Sequence, residues 1–227
     1  AFTPEDMKAR DYVINQMKQT GLEVRLDAFG NIFGRRAGLD AERACVIFGS
    51  HIDTTAVAGR FDGTVGVVGA LEVMRLLNDN EISTRRPLEV VVFAAEESTR
   101  FGVSLLGSRA TAGRLTAEHL HRLEDNDSMS LWHALKRVGL HPEALSTCVL
   151  QRGYARAYLE LHIEQGPVLE SLGRPIGVVT AIAAPTRGIV TVRGQAAHSG
   201  ATPMRLRRDA LTAAAEAVLG LERIARE

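Results

Sequence analysis

The opening of the chain changes from a helix-like to a strand-like spacing of its apolar residues. Thr3 is typical of a helix N-cap and Pro4 of the first helical position. The apolar stripe that follows has helical spacing and consists of Met7, Tyr12, Val13, Ile14 and Met17. Gly21 is expected to end this helix. The segment LEVRLDAFGNIFGRR (22–36) then alternates like two strands that turn at Gly30-Asn31.

Four later segments predict strands. RACVIFGSHID (43–53) and residues 88–95 are continuous apolar runs, which are typical of strands buried on both faces. AYLELHIEQG (157–166) alternates between apolar and polar residues, and RPIGVVTAIAAP (174–185) is predicted as a further strand.

Helical patterns separate these strands. The second half of VAGRFDGTVGVVGALEVMRLL (57–77) predicts a buried helix, and a mixed helical region extends to about residue 140. The resulting β–α–β–α–β order predicts that residues 1–183 form an α/β domain, a mixed sheet with helices on both faces.

The pattern changes near Ala184-Pro185. TRGIVTVRGQAAHSG (186–200) predicts a half-exposed strand, and RDALTAAAEAVLGLERIARE (208–227) an amphipathic helix. We therefore expect residues 184–227 to begin a second, smaller α+β domain. Because a single strand and helix bury little surface, we also expect this domain to continue beyond residue 227.

Composition excludes several function classes. The 227 residues are 45% hydrophobic and 24% charged, and the 27 basic side chains balance 27 acidic ones, so neither a nucleic-acid partner nor an anionic membrane is expected. No apolar run approaches the ~18 residues of a membrane span. Cys45 and Cys148 fit no paired motif, which favours buried thiols in a protein of the reducing cytoplasm.

Candidate chemistry gathers where the predicted strands end. The sequence places there His51 and Asp53 in GSHID, Asp62 in RFDG, the pair Glu96-Glu97, and His162 in LHIEQG. Open α/β sheets bind ligands at the carboxyl ends of their strands. Two histidines with several carboxylates predict a site for divalent metal ions, which would also supply the positive charge that two adjacent acids need.

Each residue alone has a simpler interpretation. His51 could be a hydrogen-bonded structural histidine, Asp62 a turn residue, and Glu96-Glu97 an acid pair at a helix N-terminus. Their recurrence at successive strand ends favours the metal site.

Longer segments resemble one known family. GSHIDT, GRFDGTVGV, EESTRFGVSLLGSRA, ELHIEQGPVLE and GQAAHSGATPMRLRRDAL are similar to successive signatures of the N-carbamoyl-L-amino-acid hydrolase/allantoate amidohydrolase family. This family belongs to the dinuclear-metal aminoacylases and carboxypeptidases. The resemblance covers nearly the whole chain, and it implies two divalent metal ions (zinc or manganese, or else cobalt or nickel) and a zinc-exopeptidase-like catalytic domain followed by a lid/dimerisation domain.

The resemblance also implies roles for single residues. Asp62 would bridge the two metals, His51 and His162 would complete one site, and Glu97 would serve the other. Glu96 would remain unligated, as general base and later proton donor. Asp53, two residues from His51, would orient that imidazole.

Two further residues are implied in substrate binding. His198 would reach a substrate carbonyl, often across a homodimer formed by the small domains, and Gln165 would hold a substrate amide or carboxylate. The simpler interpretations are a loop histidine for His198 and a turn-stabilising amide for Gln165.

We therefore expect a hydrolase that cleaves a linear ureido or carbamoyl C–N bond of a small molecule. An aminoacylase or peptidase of the same group is the alternative, disfavoured because His162 stands where those enzymes usually have a carboxylate. The family's last metal-ligand His and its substrate-binding Asn and Arg lie outside these 227 residues. A catalytically dead fragment that serves as an interaction module is therefore a third hypothesis.

Overall fold

A computed structural model describes residues 1–184 and 188–227. These residues cluster into two compact units, Ala1–Gly173 and Arg174–Glu227. The domain boundary expected at residues 183/184 falls inside the second unit and stays a prediction, and the Pro185 end of that transition lies outside the described residues.

The first unit is built on a five-stranded mixed sheet with the order β1-β2-β4-β3-β5. The strands are β1 Glu23–Leu26, β2 Ile32–Arg36, β3 Cys45–His51, β4 Leu88–Phe93 and β5 Ala155–Leu159. β1 pairs antiparallel with β2, and β2 antiparallel with β4, whereas β3 runs parallel to both β4 and β5. The predicted fold class, a mixed α/β sheet, is confirmed.

Helices of both units follow one another along the chain. They are α1 Pro4–Gln19, α2 Thr64–Asp79, α3 Leu106–Thr111, α4 Ala117–Arg122, α5 Leu131–Arg137, a 3₁₀ helix Pro142–Cys148, α6 Val168–Ser171, a 3₁₀ helix Met204–Leu206 and α7 Ala210–Arg226. The predicted N-cap of α1 is confirmed, because the Thr3 side chain accepts a hydrogen bond from Asp6 N. Among the described residues, no helix combines the length and the apolar character needed to span a membrane.

The two long helices of the first unit cover one face of the sheet. Val13 and Met17 of α1 and Val67 and Met74 of α2 pack with Val90 and Val92 of β4. On the opposite face, Phe33, Cys45, Ile47 and Val91 pack against residues of the segment that leads into β5, such as Leu150 and Tyr154. Helical cover was predicted for both faces, but within the described residues these two clusters show it for one face only.

Two predicted strands are absent from the described part of the chain. Residues 174–184 and 188–200 contain no strand; one isolated bridge joins Gln195 to Arg208. The prediction from alternation was wrong here, because a strand needs a neighbour to receive its backbone hydrogen bonds, and these segments find none among the described residues. The first residues of the second predicted strand, Thr186 and Arg187, lie outside the described residues.

Candidate functional site

The parallel pairing of β3 and β4 brings the predicted site residues to one edge of the sheet. His51 is the last residue of β3 and pairs with Phe93, the last residue of β4. Glu96 and Glu97 follow Phe93 after only two residues. β5 runs parallel on the other side of β3 and ends at Leu159, shortly before His162.

His51 is buried and its orientation is defined by its neighbours. Its Nδ1 lies 2.8 Å from the main-chain oxygen of Asp53. A carbonyl oxygen can only accept, so Nδ1 carries the proton and Nε2 keeps a lone pair. Nε2 lies 3.7 Å from Asp62 Oδ1 and 3.6 Å from Glu96 Oε2. The imidazole therefore presents a ligand atom between two carboxylates.

His162 presents the same nitrogen to the same acid. Its Nδ1 lies 2.8 Å from the main-chain oxygen of Ile163, and its Nε2 lies 3.1 Å from Asp62 Oδ1. His51, Asp62 and His162 each offer one atom to a group whose members lie within 4.8 Å of one another. Two imidazole nitrogens and a carboxylate oxygen are ligands that suit zinc and similar divalent ions, so the donor set fits a metal.

A second group shares His51 with the first. His51, Glu96 and Glu97 also each offer one atom within 4.8 Å of the others. The sequence assigned the second metal to Asp62 and Glu97 and left Glu96 free, whereas the structure brings both glutamates to His51. The division of roles between the two glutamates stays a prediction.

The acid pair is costly to keep ionised where it lies. Burial raises the pKa of Glu96, and the charges of Glu97, Asp53 and Glu160 add to this effect, whereas His51 opposes it. Burial also raises the pKa of Glu97, with the charges of Asp62 and Asp53 adding to it. A cation at this position would relieve the repulsion between these carboxylates.

Asp53 contacts both His51 and the acid pair. Its main-chain oxygen holds His51 Nδ1, while its carboxylate Oδ1 lies 3.7 Å from the same nitrogen. The two carboxylate oxygens accept hydrogen bonds from Glu96 N at 3.1 Å and from Glu97 N at 3.0 Å. The predicted orientation of His51 by Asp53 thus involves the main chain, and the carboxylate fixes the backbone of Glu96 and Glu97.

Gly63 lets Asp62 approach His51. Gly63 adopts φ +66°, a left-handed conformation, and a Cβ atom there would lie 2.5 Å from Nδ1, Cε1 and Nε2 of His51. Any side chain at this position would displace the imidazole. The FDG sequence is therefore needed for close approach to His51 as well as for the turn.

Gln165 contacts a predicted metal ligand. Its Nε2 donates a hydrogen bond of 2.7 Å to Asp62 Oδ2, and its backbone has a left-handed φ of +57°. The sequence assigned Gln165 to substrate. Here it orients Asp62 and leaves Oδ1 to the two histidines.

His198 belongs to the second unit. Its Nδ1 accepts hydrogen bonds of 3.1 Å from Gly200 N and from Ala201 N. The side chain of Arg207 holds the same loop by donating to the main-chain oxygens of Ser199 and Thr202. Because Nδ1 accepts, the neutral ring carries its proton on Nε2 and can donate it to an oxygen acceptor.

The sequence analysis missed the side chains that join the ends of β3 and β5. Ser50 donates to one oxygen of Glu160, and the Tyr158 hydroxyl donates to the other at 2.9 Å. Burial, together with the Glu160 charge, raises the pKa of Tyr158. Ser50 precedes His51 and Glu160 precedes His162 by two residues, so these bonds fix the spacing of the two histidines. The i, i+2 spacing of Tyr158 and Glu160 in YLELHIEQG was the available signal.

Comparison with known proteins gives consistent matches. The model of peptidase family M20/M25/M40 matches residues 47–226. The chain is 43% identical over 226 residues to an N-carbamoyl-L-amino acid amidohydrolase of Geobacillus stearothermophilus, covering 100% of this chain and 55% of that protein. It is 46% identical over 225 residues to a ureidoglycolate hydrolase of Oryza sativa subsp. japonica, covering 98% and 46%.

A solved structure agrees with these matches. The crystal structure of an amidase of the hydantoinase/carbamoylase family from Burkholderia multivorans superposes with a TM-score of 0.84 at 38% identity, covering 99% of this chain and 54% of that one. The chain thus spans about half the length of the relatives it matches.

Proposed function

The chain belongs to peptidase family M20/M25/M40, and from this premise we propose that it hydrolyses a linear ureido or carbamoyl C–N bond of a small amino-acid derivative. The resemblance to carbamoylases and allantoate amidohydrolases drawn from the sequence motifs is confirmed by these relatives. The observation that carries the proposal is the pair of ligand groups that share His51 at the end of β3.

Enzymes of this family typically depend on two metal ions. We propose that Asp62 bridges two divalent ions, zinc or manganese (or else cobalt or nickel), with His51 and His162 on one and Glu97 on the other. Such a pair supplies Lewis-acid activation of a carbonyl group and of water. The shared approach of both histidine Nε2 atoms to Asp62 Oδ1 supports this assignment.

Glu96 is the proposed general base. Its backbone is held by Asp53 and its carboxylate reaches the Nε2 side of His51. From there it accepts a proton from the attacking water and passes it to the leaving nitrogen. For an N-carbamoyl-L-amino acid, water cleaves the C–N bond and the products are the amino acid, ammonia and carbon dioxide.

Substrate contacts come from His198 and Gln165 in this proposal. An Nε2–H on His198 suits a substrate carbonyl or carboxylate oxygen, because its Nδ1 is already occupied by two backbone amides. Gln165 would have to exchange its bond to Asp62 for one to the substrate.

The test is Glu96→Gln, with Glu143→Gln as a matched control on the surface of the same unit. Glu96→Gln should keep the metal content measured by mass spectrometry and lower ammonia release by about 10²–10⁴-fold. Glu143→Gln should change neither. Turnover retained in Glu96→Gln would overturn the assignment of the base.

We further propose a homodimer formed through the small domain. On α7, a band of large apolar side chains is exposed within its unit, namely Leu211, Val218, Leu219, Leu221 and Ile224. Exposed bands of this kind usually mark an interface. Leu211→Glu combined with Val218→Glu should give monomers in analytical ultracentrifugation, whereas Glu216→Gln with Arg223→Gln should not. A dimer that persists in the first variant would place the interface elsewhere.

A reducing compartment such as the cytoplasm is the proposed location. Cys45 and Cys148 are both free and buried, which suits a protein that is never oxidised to form disulfides. Fractionation of cells that produce the protein should recover it with cytoplasmic markers, and recovery with an extracellular fraction would contradict this.

A further inference from the structure

The segment that carries Glu96 and Glu97 leaves β4 through an unfavourable backbone conformation. Ala95 has φ +51°, in the left-handed region that residues with a Cβ rarely adopt. Such a conformation costs about 1–2 kcal/mol and persists only where the surroundings enforce it. The position of the two glutamates therefore depends on whatever holds this turn.

The Asn31 side chain bridges the two ends of the turn. Asn31 is fully buried. Its Oδ1 accepts a hydrogen bond of 2.9 Å from Ala94 N, the residue before the turn, and its Nδ2 donates one of 3.1 Å to Gly107 O in α3, after the turn. Gly107 N also donates to Ala94 O at 2.9 Å, so the side chain reinforces a closed loop.

Asp27 fixes which way the Asn31 amide points. Asp27 Oδ1 accepts from the main-chain N of Phe29, Gly30 and Asn31 at 2.8–3.0 Å. Its Oδ2 accepts from Asn31 Nδ2 at 2.7 Å. The Nδ2 must therefore face the carboxylate, and this leaves Oδ1 as the acceptor for Ala94.

The far side of the turn is held by Asp53, whose carboxylate binds the amides of Glu96 and Glu97. The backbone amides of residues 94, 96 and 97 are thus all bound by side chains from elsewhere in the sheet. Asn31 lies at the start of the turn, and its contacts do not involve the metal-ligand groups themselves.

We infer that Asn31 is a positioning residue, which sets the turn that delivers Glu96 and Glu97 to His51. The inference rests on the proposed function in one respect, the roles given to these two glutamates. Only asparagine combines a donor and an acceptor at this length. Alanine would leave Ala94 N, Gly107 O and an oxygen of Asp27 without their partner in a buried site.

The experiment compares Asn31→Ala with Asn78→Ala in the full chain. Asn78 is the matched control, because its amide also makes tertiary bonds, to Thr20 O and Arg36, but none to the turn. Amide hydrogen exchange of residues 94–97 and binding of cobalt alone are measured for both variants. Thermal unfolding of each variant sets the temperature, so that both are compared equally far below their midpoints.

In Asn31→Ala, exchange at residues 94–97 should quicken about tenfold or more, because a buried hydrogen bond is lost. Cobalt affinity should fall by about 10–100-fold, as for other losses of support behind metal ligands. With substrate, kcat should fall more than KM rises. Asn78→Ala should leave all three unchanged. The inference is overturned if Asn31→Ala matches Asn78→Ala in exchange and cobalt binding.

Asn31→Ser is the second variant if Asn31→Ala does not fold, since a serine leaves room for a bridging water. It should shift exchange and cobalt binding in the same direction by a smaller factor, and wild-type values would overturn the inference. A chain that shows no turnover but gives the predicted exchange and cobalt results would refute the proposed function and leave the role of Asn31 standing.

Discussion

Replacing Gly63 by alanine should remove metal binding while changing the fold little. A Cβ at Gly63 would lie 2.5 Å from three atoms of the His51 ring, whereas ordinary contacts begin at 3.4 Å. The ring must therefore move by about 0.9 Å (3.4 − 2.5). Metal–ligand distances tolerate only about 0.2 Å. Because His51 belongs to both ligand groups, both would lose a ligand together.

The magnitude follows from separating two costs. Alanine at φ +66° carries a backbone cost of about 1–2 kcal/mol, which lowers the melting temperature by about 2–8 °C in a domain of this size. Displacement of His51 comes in addition. Losing support behind a metal ligand weakens affinity by about 10–100-fold, so losing the ligand itself should exceed about 100-fold.

Gly139→Ala is the control. Gly139 also has a left-handed φ, +80°, but a Cβ added there would meet no atom within 4 Å, so alanine at this position carries the backbone cost alone. Zinc or cobalt titration by calorimetry and thermal unfolding are measured for both variants. Similar melting temperatures with a large difference in metal affinity are expected. If Gly63→Ala binds metal as tightly as Gly139→Ala, the placement of His51 against Gly63 is wrong.

Three further predictions test other parts of the structure. Gln165→Ala should raise KM if the side chain binds substrate, and should weaken cobalt binding without substrate if its main task is the observed bond to Asp62; we expect both, and an unchanged cobalt titration would refute the second. Burial raises the thiol pKa of Cys45 and Cys148 to about 11, above the ordinary 9.0, so the folded chain should resist a thiol reagent at pH 8 and lose stability as pH rises from about 9 to 11; fast labelling of native protein would contradict this. Glu89→Gln should cost about 2 kcal/mol in urea unfolding, because the fully buried carboxylate bonds an arginine and a tyrosine, and an unchanged midpoint would count against that network.

The strands that carry the site were predictable because their patterns are local. A continuous apolar run such as 88–95 is buried whatever surrounds it, and β3 and β4 lie where such runs predicted them. Polar residues directly after such runs are then brought to one edge by parallel pairing. His51, Asp62, Glu96, Glu97 and His162 could be grouped from the sequence for this reason.

The remaining features depend on partners far along the chain. The sequence predicts Asn31 only as a turn residue, and the structure is needed to show that its amide is buried beneath residues 94 and 107. Gln165 was predicted as a substrate ligand, and its bond to Asp62 depends on a backbone conformation that the sequence does not encode locally. The strands predicted at 174–185 and 186–200 failed because alternation specifies a strand only where a pairing partner exists.

The central claim is that this metal centre hydrolyses ureido or carbamoyl bonds. The most direct measurement is the initial rate of the metal-loaded chain on an N-carbamoyl-L-amino acid, the matching N-acetyl amino acid and a dipeptide with the same side chain, at one concentration. Ammonia release from the carbamoyl compound, well above amine release from the other two and abolished by a chelator, is the predicted result. A faster rate on the dipeptide or the acetyl compound would contradict the claim and favour the peptidase or aminoacylase alternative.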